Sequence, residues 1–445
     1  MPARRPRSPA FPSTGIVPEW RGLRAVVRRA PPPAVRAGWL LPAGLLAAAA
    51  LWLFAAATPL PRHGRQLFGA WGTRDFAFAG LLAWLAVLFL LHRCSRRALF
   101  AGAFASLLAA ATVGMLEVAG RAGLADYATL FGLRHTPPLG SQRIPNALVR
   151  GEADEDIAAL WRIPRAKVPF EYRTDRHGLR NAHDRDAADV YCLGDSFLVA
   201  GLLPFDDTLT ARLERTLNVP TMNVALVGLG VQEVRALWHE LDLPAEGRTV
   251  LQFVTEDNDL VDSARFRQGR KSWEIDQPTA RSFLDSFTVW LQRLTQPVPG
   301  EARTHVGLIG GEPVAFQWGA SSFAGLRHEV AEVIASIAAL HREVAAAGGR
   351  HGVVFLPAKL RVLGPRCTWP KDSALRDLAT QLGPLRDALI RECAARGIPL
   401  LDLTPALQAA AATDLPYFPF DTHFNAVGHA VAAQAIAAWS FVARR

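Results

Sequence analysis

The sequence predicts an α/β domain with a parallel sheet, preceded by about three N-terminal membrane-spanning helices. Three observations carry this reading. From about Ala187 onward, short apolar runs alternate with amphipathic helical stretches, as expected of strands covered by helices. Between residues 37 and 120 lie three apolar runs, the second of them short. One of the short runs, Tyr191-Cys192-Leu193, stops abruptly in Gly194-Asp195-Ser196, with an expected helix behind it. Chemistry gathers at the carboxyl ends of strands in such sheets.

Half of the 445 residues are hydrophobic, and the mean hydropathy of +0.13 is high for a purely soluble protein. The net charge is +9, and residues 1–36 hold eight arginines against one acid, Glu19. This Arg-, Pro- and Ala-rich stretch reads as a disordered tail on the cytoplasmic side of a membrane helix. No basic stripe interleaved with aromatics follows in the large domain, so nucleic acid is not an expected partner. Four cysteines without CxxC spacing suit neither a disulfide scaffold nor a zinc site, and no metal or cofactor is expected. Cys367 and Cys393 read as two unpaired thiols or, in an oxidising compartment, as one pair.

The first apolar run, Ala37 to Pro61, carries no charge and is too long for a signal-peptide core. Phe76–Leu91 and Ala98–Leu116 follow, so spans are expected at about 37–60, 76–92 and 98–117. Arg93, Arg96 and Arg97 crowd the turn between the second and third; with the basic tail they place the N-terminus in the cytoplasm. Arg62, Arg65 and Arg74 argue mildly the other way. Three spans put everything after about residue 120 outside the cytoplasm, on the periplasmic side of an inner membrane. Two would leave it inside.

Residues 121–185 read as a juxtamembrane lead-in, and 186–445 as the α/β domain. Strands are expected at Asp189–Leu193, Val219–Leu226, Thr249–Thr255, Gly352–Leu356 and Pro399–Leu403. Helices are expected from an N-cap at Asp206-Asp207, then over Gln232–Leu241, Phe323–Ala347, Ala374–Arg396 and Ala426–Ala443. The stretch of about 260–320 reads as an insertion. Its Trp273, Phe283, Phe287, Trp290 and Trp318 suit core packing better than a sugar-stacking wall.

Ser196 sits where a strand hands over to a helix, beside backbone N–H groups able to hold an anion. Near the C-terminus, Asp421-Thr422-His423 precedes Asn425, a fit N-cap for the last helix. A carboxylate two residues from a histidine can hold its ring and support an imidazolium. The same segment also fits a polar loop in which His423 only caps or packs, and His429 reads as structural. Asn223 to Gln232 leaves its strand through Gly228 and Gly230, which lets a backbone N–H approach a ligand. Glu256-Asp257-Asn258-Asp259 ends the third strand with a side-chain amide, a neutral donor for a developing oxyanion.

In this order, Gly194-Asp195-Ser196, Gly228, Asn258-Asp259 and Asp421 with His423 resemble the blocks of the SGNH (GDSL-type) hydrolase superfamily. The resemblance covers roughly residues 170–445, and the lead-in Tyr172 to Arg180 is similar to that of membrane-anchored bacterial members. It implies a three-layer α/β/α domain in which Ser196 is the nucleophile, His423 the base and Asp421 its orienting carboxylate. The oxyanion hole it implies comprises the Ser196 and Gly228 backbone N–H groups and the Asn258 side chain. Two departures stand out: Glu256 where the third block usually has glycine, and Asp-Thr-His where Asp-x-x-His is common. The shorter spacing resembles the branch that modifies bacterial exopolysaccharides, including alginate O-acetyltransferase-like proteins. The expectation is a membrane-anchored serine esterase acting on O-acyl, chiefly acetyl, esters of envelope polysaccharide. An O-acyltransferase served by a multi-span acyl-donor partner is the alternative, and a non-catalytic glycan-binding protein the second.

Overall fold

The computed structural model describes residues 40–56, 66–68, 71–131, 143–267, 282–295, 304–317, 326–377 and 381–443. The chain divides into two compact units, 1–109 and 110–445. Helices α1 (Leu40–Ala56), α2 (Thr73–Cys94) and α3 (Arg96–Arg121) coincide with the three apolar runs, the basic tail lying outside the described residues. In the first unit α1 packs against α2, and the Trp84 indole N–H donates to Ser106 Oγ at 3.0 Å. Among the described residues α3 is the one helix long and apolar enough to cross a membrane; its best window has a mean hydropathy of 2.0 and is not buried. At 1.5 Å per residue, α3 spans about 39 Å, whereas α1 and the apolar part of α2 (Phe78–Cys94) reach about 25 Å. The hydrocarbon core is about 30 Å thick. Among the described residues, one of the three expected spans is thus present at full length.

The second unit holds a five-stranded parallel sheet: β1 (Val190–Gly194), β2 (Thr221–Ala225), β3 (Thr249–Thr255), β4 (Arg350–Leu356) and β5 (Leu400–Asp402), in spatial order β5-β4-β3-β1-β2. The segment expected only to lead in belongs to this unit. It forms an antiparallel hairpin, Leu148–Ala153 with Val168–Arg173, and helix α4 (Asp156–Trp161). After β1 come α5 (Ser196–Val199), α6 (Leu209–Leu217), α7 (Val231–Leu241), α8 (Asp259–Arg267), α9 (Arg327–Ala346), α10 (Lys359–Leu363), α11 (Leu385–Arg396) and α12 (Ala426–Ala438).

Period-2 alternation splits the strands between two apolar layers. Val190, Cys192, Leu251, Phe253, Val354 and Leu356 meet Leu209 and Leu213 of α6 and Ala432, Ala433 and Ile436 of α12. Tyr191, Leu193, Met222, Val224 and Val250 meet Leu237 and Trp238 of α7 and Leu340 and Val344 of α9. Each fully buried Val, Leu or Phe contributes roughly 1.5–3 kcal/mol, so both strand faces are held by helices.

Several boundaries move. Asp206-Asp207 form a 3-10 turn, and Thr208 is the true cap of α6, its hydroxyl accepting the Ala211 N–H at 3.4 Å. Helix α11 begins only after Pro384, which keeps the preceding residue out of the helical region. Helix α12 ends at Ala438, where Trp439 turns extended. The insertion contains α8, the helix Phe283–Thr295 and an antiparallel hairpin, Val306–Ile309 with Glu312–Ala315. Phe283, Phe287 and Trp290 pack in one aromatic cluster with Phe131; Trp273 and Trp318 lie outside the described residues. All four cysteines are free.

Candidate active site

Ser196 is the first residue of α5, at the carboxyl end of a central strand. Gly194 fits closely there: a Cβ would come within 2.9 Å of Leu198 Cδ1 and 3.2 Å of Phe253 Cβ, so a larger residue would have to displace the Leu198 side chain. Asp195 caps the helix, its Oδ1 accepting the Phe197 N–H at 3.0 Å. A four-residue helix has little strength of its own, and its end is caught by two buried side chains. Asn223 donates to the Leu198 carbonyl at 2.9 Å. Arg180, 1 % exposed, donates to the carbonyls of Val199 (2.6 Å), Leu203 (2.5 Å), Ala200 and Glu171 (3.3 Å). The lead-in arginine therefore holds the turn that carries Ser196.

The C-terminal loop brings His423 to the serine. His423 Nε2 lies 2.8 Å from Ser196 Oγ, and Nδ1 lies 2.6 Å from Asp421 Oδ1. With the Nδ1 hydrogen donated to Asp421, the Nε2 lone pair faces the serine hydroxyl. The ring also packs against Phe197, centroid to centroid 4.9 Å. Asn425 caps α12 as expected, accepting from Val427 and Gly428. His429 is fully buried, accepts the Leu209 N–H at 3.0 Å, and is driven down to about 3 chiefly by burial, so it stays neutral.

Sequence reasoning missed the partner of this loop. The start of α4 clasps residues 420–422 along its length. The Ile157 and Ala158 N–H groups donate to the Phe420 carbonyl at 3.0 and 3.1 Å. The Asp156 N–H donates to Asp421 Oδ2 at 2.8 Å, the Thr422 N–H to Asp156 Oδ1 at 2.9 Å, and the Phe420 N–H to Glu155. From α10, the buried Lys359 ammonium donates to the carbonyls of Phe418 (2.7 Å), Pro419 (2.8 Å) and Asp421 (3.0 Å). The acidic run Asp154-Glu155-Asp156 before a short helix was the one signal available.

Burial lowers His423, but the Asp421 charge and hydrogen bond, with Asp156 behind them, bring it up to about 9. Burial raises Asp421, yet the His423 charge and hydrogen bonds leave it below the usual carboxylate range. Burial, then the Asp421 charge, push Asp156 up to about 7. Ligand atoms of Asp156, Asp421 and His423 all lie within 4.8 Å of one another. The 2.6 Å between Asp421 and His423 is a hydrogen bond, whereas neighbouring ligands of tetrahedral zinc stand about 3.3 Å apart. The cluster does not fit a metal centre.

Of the expected oxyanion donors, Gly228 lies just beyond the end of β2 with φ +79°, a conformation glycine adopts freely. Among the described residues neither its N–H nor that of Ser196 has an acceptor. Asn258 reaches the same edge, but its amide donates to Asp195 Oδ2 and Asp262 Oδ2, each at 3.0 Å. Both its hydrogens are engaged, so in this arrangement it offers none to a third acceptor. Glu256 needs no special backbone, since its φ is not positive. Its fully buried carboxylate pairs with Arg361 (2.7 Å to Nε) and accepts the Ala358 N–H at 3.0 Å. It ties the end of β3 to α10, and neither departure from the family blocks disrupts the Ser–His–Asp line.

A serine, histidine and aspartate joined in one hydrogen-bonded line at the carboxyl edge of a parallel sheet is an arrangement that α/β serine acyl-transfer enzymes use. Residues 318–440, which include Asp421 and His423, match a family described as "SGNH hydrolase-like domain, acetyltransferase AlgX". The C-terminal part of the chain is thus similar to SGNH hydrolase-like domains. No curated protein matches it in sequence. Among solved structures it is similar to a lipolytic protein of the G-D-S-L family from Veillonella parvula, with 15 % identity, 55 % of this chain and 94 % of that one covered, and a TM-score of 0.32. It is similar also to an alpha/beta hydrolase enzyme from the metagenome of Lake Arreo, with 14 % identity, 56 % and 94 % covered, and a TM-score of 0.31. A psychrotrophic esterase from a Pseudoalteromonas species follows, with 10 % identity, 56 % and 93 % covered, and a TM-score of 0.27. At such scores the three likenesses carry no weight of their own.

Proposed function

We propose that this protein is a serine enzyme that moves an acyl group, chiefly acetyl, to or from hydroxyls of cell-envelope polysaccharide. The observation that carries the proposal is the continuous line Ser196 Oγ, His423, Asp421 at 2.8 and 2.6 Å. His423 Nε2 takes the hydroxyl proton as Ser196 Oγ attacks the ester carbonyl, and the imidazolium is supported by Asp421. The N–H groups of Ser196 and Gly228 hold the oxyanion. Collapse breaks the ester bond, the leaving alcohol receives the proton from Nε2, and an acyl-serine remains. Water or a sugar hydroxyl then gives its proton to Nε2 and attacks the acyl carbon; the acyl–serine bond breaks, and Nε2 returns the proton to Ser196 Oγ.

Water as acceptor makes an esterase, our first reading. The family description as an acetyltransferase favours the second, in which a sugar hydroxyl accepts. That enzyme draws its acyl groups from a multi-span donor protein. For location we propose anchoring in the inner membrane through three N-terminal spans, with the α/β unit on the periplasmic side. The length of α3 and the arginines around residues 93–97 support this. The test is covalent labelling by a fluorophosphonate probe. Labelling that vanishes in Ser196→Ala supports the reading; a folded wild-type protein that takes no label overturns it.

A further inference from the structure

We infer that Asp156 is a positioning residue for the proposed base: a second carboxylate that seats the Asp421-Thr422-His423 loop and sets the pH at which His423 becomes free to accept a proton. The inference rests on the acyl-serine reading above and adds a residue from outside the blocks that define the superfamily. Asp156 Oδ2 lies 3.6 Å from His423 Nδ1, the nitrogen already bonded to Asp421. The Thr422 hydroxyl donates to that same Oδ2 and its oxygen lies 3.4 Å from Nδ1, so the threonine bridges carboxylate and ring. Asp156 also touches the first carboxylate, through its N–H on Asp421 Oδ2. One residue of α4 therefore grips all three members of the loop.

The charged groups that interact with Asp156 are Asp421 and His423 on the loop, Lys359 on α10 and Asp257 beyond β3; Asp195 beyond β1 acts on His423, and Glu155, the residue before α4, on Lys359. Two carboxylates beside one imidazole favour its charged form, and the side chain of Asp156 keeps 35 % exposure, so water moderates its pull. Asp156 takes no proton in the reaction. The serine proton goes to Nε2 and the Nδ1 hydrogen stays on the Asp421 bond; Asp156 acts only through the charge and hold it offers. An ionised Asp156 raises the basicity of His423, strengthening it as a base while restricting the neutral form to higher pH.

The test compares wild type, Asp156→Asn and Asp156→Ala as full-length chains in detergent. One readout is kcat/KM for a small acetate ester against pH. The other is the rate at which diethyl pyrocarbonate modifies His423, followed by peptide mass spectrometry, which reads the neutral imidazole without needing turnover. Asparagine keeps an acceptor for the Thr422 hydroxyl but removes the charge. The expected result is that both midpoints fall by roughly one pH unit in both variants. A variant that loses activity equally at every pH, with the modification midpoint unmoved, overturns the inference and leaves Asp156 a structural residue. A shifted modification midpoint in a protein without ester turnover keeps the positioning role and rejects the esterase reading instead.

Discussion

Ser196 and His423 are set apart from ordinary polar residues by how completely their surroundings are arranged. His423 is raised to about 9 because Asp421 and Asp156 outweigh the burial that opposes them. A base must be neutral to accept a proton, so kcat/KM for ester cleavage is expected to rise with pH along a limb centred near 9. A flat profile from pH 6 to 10 counts against His423 as the base. His423→Ala should lower ester turnover by about three orders of magnitude or more, since the serine keeps its place but loses its proton acceptor. Near-wild-type turnover in that variant, followed by a chromogenic ester, contradicts the assignment. Asp421 and His423 were legible in the sequence because they lie two residues apart, so their pairing is a local property of the chain. Asp156 was not, because its partner Thr422 lies 266 positions away.

At the scale of elements, β3, β4 and α10 are joined by a group that looked out of place in the sequence. Glu256 is fully buried, and Arg361, its partner on α10, is only 14 % exposed. Removing one member of such a pair strands a charge in the interior, at a cost of about 3–5 kcal/mol. Arg361→Gln is therefore expected to lower the thermal midpoint of the detergent-solubilised protein by several degrees. The double variant Glu256→Gln with Arg361→Gln should recover much of the loss. Equal midpoints for wild type and Arg361→Gln reject the pair as a structural tie. The strands themselves were readable, since their alternation is a property of consecutive residues. Helix starts were less so: Thr208 and Asp207 are both competent caps, and the chain path into α6 chose between them.

At the scale of the whole molecule, the predictions concern sidedness and acceptor. With three spans and an internal N-terminus, a C-terminal alkaline phosphatase fusion, active only outside the cytoplasm, is expected to be active. An inactive phosphatase together with an active cytoplasmic reporter at the same site rejects the topology. On acetylated glycans, release of acetate to water marks an esterase, and transfer to unacetylated acceptor glycan marks a transferase. Ser196→Ala should abolish whichever occurs.

The sequence alone determined the alternating α/β plan, the three apolar runs, the serine at a strand end and the paired aspartate and histidine. Each depends on residues close together along the chain, where periodicity and spacing act directly. Only the tertiary structure decided that Ser196 and His423, 227 positions apart, meet at 2.8 Å. It likewise decided that the lead-in supplies Arg180 and α4 to the site, and that both Asn258 hydrogens are engaged by carboxylates. Those facts depend on which segments the folded sheet brings to one edge, and burial there converts distant polar residues into partners because none can be left unpaired cheaply.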